Sequence, residues 1–139
     1  PQKDFRWFPY GAAGLDIYSN GVMVSQSLIK KNPKAVAGLV KAINKAVQEV
    51  IADPSEGIKI IKGVEPLINA DLEAKRLKFA LDNLIISKES KLNGIGSVDM
   101  KRLEKSIGII KDLYKLPKAP AATAVYSSSF LPPGVERKL

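Results

Sequence analysis

The chain has neither cysteine nor histidine. Without cysteine, disulfides, thiolate nucleophiles and zinc–sulfur sites are excluded. Without histidine, the commonest neutral-pH general base and metal ligand is missing, which counts against hydrolytic and zinc chemistry. No apolar run approaches the ~20 residues needed to span a bilayer. Walker-type loops, GxGxxG and GxSxG are absent, as are fixed-period repeats and sustained heptads. The chain opens at Pro1 with no initiator methionine and no charged-then-apolar leader, so the expectation is a piece of a longer protein.

The acidic residues that remain are explained by helix ends. Asp71 and Glu73 fall in a first helical turn, where the dipole favours negative charge, and Glu49, Asp53 and Glu56 flank a helix junction. The chain is therefore expected not to be an enzyme, and to hold no metal and no cofactor.

What is present is an ordinary globular mixture, 45% hydrophobic and 26% charged over 139 residues, enough for one domain. The formal charge of +8 raises the question of nucleic acid. The lysines and arginines are spread along expected helices, without aromatic interleaving of the single-strand-binding kind. A solvated face is the preferred reading, and no nucleic-acid partner is expected.

Three regions differ in character. Residues 1–24 are rich in aromatics and glycine, residues 25–116 read as successive helices, and residues 117–139 form a Pro/Ala/Ser tail. Ser25 or Ser27 can cap a short helix through Ile29. Asn32-Pro33 starts the next, whose Val36, Leu39, Val40, Ile43, Val47, Val50 and Ile51 recur at helical spacing. Asp53-Pro54-Ser55-Glu56 restarts the chain in a capping-box arrangement, and Gly63 is the expected stop. Asn69 opens a helix bearing Leu72, Leu77, Ala80, Leu81, Leu84 and Ile85. Residues 87–97 read as a loop, with Gly94-Ile95-Gly96 as a turn. A last helix carries Met100, Leu103, Ile107, Ile110 and Tyr114.

Only two short stretches, 15–18 and 21–24, have strand patterns. Helices with apolar faces and so little sheet of their own suggest that partner strands lie outside this chain.

The opening stretch is what surface helices do not account for. Tyr and Trp suit the sandwiching of a ring or small polar ligand, while Asp16 and Asn20 could supply directed hydrogen bonds. Asp16 could also pair with a cationic or amino group. For Phe5, Trp7 and Phe8 packing is the preferred role. For Tyr10, Asp16, Tyr18 and Asn20, packing and ligand contact both stay open, and these four are the candidate ligand-binding residues.

Tyr10-Gly11, Gly14-Leu15-Asp16-Ile17-Tyr18-Ser19-Asn20-Gly21, Lys31-Asn32-Pro33 and Ala52-Asp53-Pro54 follow one another in order. Gly94-Ile95-Gly96 and Tyr126-Ser127-Ser128-Ser129-Phe130-Leu131 come later. In this the chain resembles the periplasmic substrate-binding proteins that include thiamine-pyrimidine-precursor binders and their nitrate, sulfonate and taurine relatives. Two departures stand out: Ala12-Ala13 is an apparent insertion, and Ser97 stands where the family often has Trp.

The resemblance implies an α/β chain, the C-terminal fragment of a type II periplasmic-binding fold, helix-dominated here with one or two strands. It implies an interlobe crossover at 1–15, the C-terminal portion of the first lobe at 16–116, and a tail at 117–139 packing back. Its functional implication is the solute-binding component of an ABC importer, with a small molecule such as a thiamine pyrimidine precursor held in an interlobe cleft. The implied partners are that ligand, a transporter permease and the N-terminal remainder of the parent protein. The implied location is periplasmic or otherwise extracytoplasmic, with a lipid anchor on the full-length protein as an option. Two rivals stay open: a pyrimidine-precursor synthase of the same fold, and a basic helical interaction module.

Overall fold

Each long helix begins where a short polar side chain can accept the orphan amides of a first turn. In the computed structural model, which describes residues 6–18 and 20–139, Ser25 caps α1 (Gln26–Lys31) and Asn32 caps α2 (Pro33–Ala52). Asp53 caps α3 (Pro54–Val64) and Asn69 caps α4 (Ala70–Ala80). Proline occupies the first helical position of α2 and α3, where its missing N–H costs nothing. Ser87 caps α5 (Lys88–Asn93), Asp99 caps α6 (Met100–Leu113), and a short α7 (Ala122–Val125) lies in the tail.

Several expectations change. The Asp53 cap holds, but Glu56 turns its carboxylate to Lys59 at 2.9 Å, so it acts as an ion-pair partner. The helix runs through Gly63 and stops at Glu65. The region read as a loop contains α5, because Ser87 and Ser90 cap each other reciprocally. The helix from Asn69 does not stay regular to Ile85: Leu81–Ile85 form a π turn, closed by the Ile86 N–H on the Leu81 carbonyl at 3.0 Å.

The described residues are helix-dominated and hold no strand. The stretch 15–18 is irregular backbone, and 21–24 likewise. A strand exists only by pairing its amides with a neighbour, and neither stretch forms a ladder here.

The chain divides into two units. The first combines residues up to Val22 with Val98–Ser127. In it α6 packs on α7, with Leu103 and Ala122 buried and the buried Ser106 hydroxyl donating to the Arg102 carbonyl at 2.8 Å. Helix α6 ends with Lys115 in the left-handed region at φ 50°.

The second unit combines Met23–Ser97 with Ser128–Leu139. Helices α1, α2, α3 and α4 pack in sequence order, with Val36 and Leu81 buried. Asn44 is buried as well. Its amide donates to the Val40 carbonyl at 3.0 Å, while its Oδ1 is buried without a donor.

The last residues, Ser128–Leu139, are clasped within this second unit. Arg137 donates from Nη1 to the Ile95 carbonyl (2.8 Å) and the Ser97 hydroxyl (2.9 Å), and from Nε to the Pro132 carbonyl (2.8 Å). The Ile95 N–H returns a bond to the Arg137 carbonyl at 2.9 Å. Gly94 is required by this contact as well as by the turn, and Gly96 by the turn. Both have positive φ, and a Cβ would lie 2.9 Å from Arg137 Cβ at Gly94 and 2.9 Å from Leu131 Cδ2 at Gly96. Ser97 receives Arg137 at 2.9 Å and donates to the Asn93 carbonyl at 2.6 Å. Lys41–Glu136 at 2.7 Å and Gln48 Nε2 to the Lys138 carbonyl at 2.8 Å tie the tail to α2.

Much apolar surface stays uncovered. Leu39 (47%), Ile60 (62%) and Val64 (78%) are exposed on faces whose spacing is that of a packed helix.

Candidate functional site

The candidate residues lie in the first unit, before and beside the start of α6. Asp99 organises the helix end: its Oδ1 accepts from the Lys101 and Arg102 amides at 2.8 and 3.2 Å. Its own N–H donates to the Tyr18 hydroxyl at 2.8 Å, which draws the opening segment onto the helix.

Arg102, one turn in, completes the attachment. Nη2 meets Asp16 Oδ1 at 2.6 Å, and the guanidinium carbon lies 4.1 Å from the Tyr18 ring centroid. A planar cation can present its edge to a carboxylate and its face to an aromatic ring at once, which lysine cannot do.

Upstream, Tyr10–Ala13 form a single 3-10 turn, closed by Gly14 at φ 89° and by the Leu15 N–H on the Tyr10 carbonyl at 3.0 Å. The apparent Ala12-Ala13 insertion is thus taken up as a turn. A Cβ on Gly11 would come to 3.9 Å from Asp16 Oδ1, so the turn lies close to the carboxylate.

Of the four candidates, the structure brings Asp16 and Tyr18 together on Arg102. Tyr10 stands 77% exposed on the turn, and Asn20 is exposed beyond Tyr18. Trp7 and Phe8, expected to pack, are 67% and 72% exposed, with the Arg6 guanidinium 5.4 Å from the Phe8 ring. Phe5, the rest of residues 1–5, and Ser19 lie outside the described residues.

The reading of Asp16 shifts accordingly. Its carboxylate already holds a cation, so an entering amino group would share or displace Arg102. Arg102 and Asp99 were missed by sequence reasoning. They stand more than eighty residues from Asp16 and Tyr18, and nothing local marks them as partners.

No cluster of acidic side chains suited to a metal occurs among the described residues. Two groups at the start of α3 have displaced pKa values. Asp53 is held below the usual carboxylate range by the Ser55 hydroxyl and the Glu56 amide, and Lys59 is raised by its bond and charge partner Glu56. Both belong to the cap of α3. A shallow depression of about 290 Å³ in the first unit is lined by Glu104, Ile107, Gly108 and residues 119–123, and includes none of the four candidates.

Residues 2–57 match a family model described as NMT1/THI5 like. No curated protein and no solved structure matches the chain. The similarity supports substrate binding in the broad sense. The matched stretch holds Tyr10, Asp16, Tyr18 and Asn20 together with α1 and α2, and leaves out Asp99 and Arg102.

Proposed function

We propose that this chain contributes part of the binding surface of a solute receptor that captures a small planar molecule and delivers it to an ABC importer. In this reading the protein works outside the cytoplasm and makes or breaks no covalent bond. The observation that carries it is one segment with two properties. It lies within the stretch similar to the NMT1/THI5 like family, and it presents exposed aromatic rings beside a charge pair anchored to a helix end.

Exposed rings supply stacking area at low entropic cost, and Asp16 with Arg102 supplies a paired donor–acceptor edge. A thiamine pyrimidine precursor or related heterocycle is the proposed ligand class. Arg102 acts as a positioning residue that fixes Asp16 and the Tyr18 ring.

The test is thermal unfolding of the intact protein that carries this chain, against aminopyrimidines, thiamine, nitrate, taurine and alkyl sulfonates. One-site binding at a hundredfold excess over Kd stabilises by about 2.7 kcal/mol. A shift with an aminopyrimidine that Asp16→Asn or Arg102→Met removes supports the reading. If no small molecule shifts the protein, the receptor reading falls.

A further inference from the structure

Between Ile17 and Gln48 the chain contains no acidic residue but five lysines, Lys30, Lys31, Lys34, Lys41 and Lys45. Two of these are matched: Lys41 by Glu136 at 2.7 Å and Lys45 by Glu49 at 3.6 Å. The other three surround the α1–α2 corner at Asn32, all exposed. Lys30 and Lys31 lie in the last turn of α1, where the helix dipole welcomes a cation. Lys34 lies in the first turn of α2, where the dipole disfavours one, so helix stability does not explain it. At that corner the end of α1 and the start of α2 oppose each other as dipoles, and the three lysines leave the field positive.

Apolar side chains stand in the same stretch. Met23 is 97% exposed and Leu28 is 42% exposed. Lysines that share one stretch of chain with an exposed methionine and leucine match the interfacial region of an anionic bilayer, where headgroups take the cations and the acyl boundary takes the apolar tips. Single-stranded nucleic acid would call for aromatic stacking platforms, and none occurs from Asn20 to Lys78. No helix among the described residues is long and apolar enough to cross a membrane, so the contact would be peripheral.

We infer that the α1–α2 corner, through Lys30, Lys31, Lys34 and Met23, docks the protein on a surface of anionic phospholipid. The inference is independent of what the opening segment binds. Each lysine near such a surface strengthens partitioning about fivefold, so the three together give roughly a hundredfold. The attraction falls as the Debye length shrinks from about 10 Å at 0.1 M salt to about 3 Å at 1 M.

The test is co-sedimentation of the intact protein with vesicles of phosphatidylcholine alone and of phosphatidylcholine mixed with phosphatidylglycerol. The wild type should bind only the anionic vesicles, and high salt should release it. The combined substitution Lys30→Gln, Lys31→Gln, Lys34→Gln should lose about a hundredfold in partitioning, with the far-ultraviolet spectrum unchanged. Met23→Ser should lose several-fold. The combination Lys88→Gln, Lys91→Gln, Lys118→Gln removes the same charge elsewhere and should bind like the wild type. Equal loss in both combinations would reduce the effect to net charge and overturn the site. Equal binding to neutral vesicles, or displacement by a single-stranded oligonucleotide at matched charge, would overturn the lipid assignment.

Discussion

Arg102 in the first unit and Arg137 in the second each hold a remote stretch of chain, 86 and 42 residues away in sequence. Their acceptors differ. Arg137 bonds two backbone carbonyls and a hydroxyl in a half-buried setting, none of which titrates or can be screened away. Arg102 reaches an exposed carboxylate with its edge and a ring with its face. The first arrangement locks the tail to a turn that has no room for a side chain. The second is an ion pair of the kind water and salt weaken and a ligand can compete for. One unit therefore carries a structural clasp, and the other an exposed ion pair.

The sharpest way to break this contrast is at Gly94. Gly94→Val would force a Cβ against Arg137 at a backbone φ of 83°, and should destabilise the protein by about 3 kcal/mol, read by chemical denaturation. Arg137→Ala comes next. It leaves the half-buried Ile95 carbonyl short of a donor and should cost about 2 kcal/mol, with early release of the C-terminal residues seen by carboxypeptidase digestion. Arg137→Lys should recover little, because a point charge cannot serve three acceptors in a fork.

Arg102→Met should cost about 1 kcal/mol at low salt and less at high salt, whereas the Arg137→Ala loss should not change with salt. If the two losses respond alike to salt, the distinction between clasp and contact fails.

The smallest effect isolates pH. The folded pKa of Asp53 is lowered, so its contribution is present above the ordinary carboxylate range and is lost as pH falls through its own lowered value. Asp53→Asn keeps a cap and should flatten the acid limb of a thermal-melt profile, while Arg137→Ala should leave its slope unchanged.

The contrast also marks what could be read in advance. Asn32, Asp53 and Asn69 act on amides two or three residues away and were legible because capping is local, while the choice between Ser25 and Ser27 fell to Ser25 only in the fold. Helix α5 was obscured because Gly94 and Gly96 read as loop chemistry, whereas a serine pair supplies its cap. The strand patterns at 15–18 and 21–24 were visible, but a pattern does not provide a pairing partner. In the candidate site, Asp16 and Tyr18 stood out by composition. Arg102 and Asp99 did not, since one more basic and one more capping residue on a helix look like surface. Gly94 and Gly96 were seen as a turn, and only the fold shows that the tail lies against them.

The π turn at Leu81–Ile85 has a consequence for chain length. It holds one residue more than an α-helical turn would, and the helix is not broken by it. Removing one residue there, Asn83 for instance, would restore an ordinary turn and swing Leu84, now 70% exposed, about 100° around the axis. Gain or loss of a single residue at this point would therefore re-aim a side chain and leave the helices on either side intact.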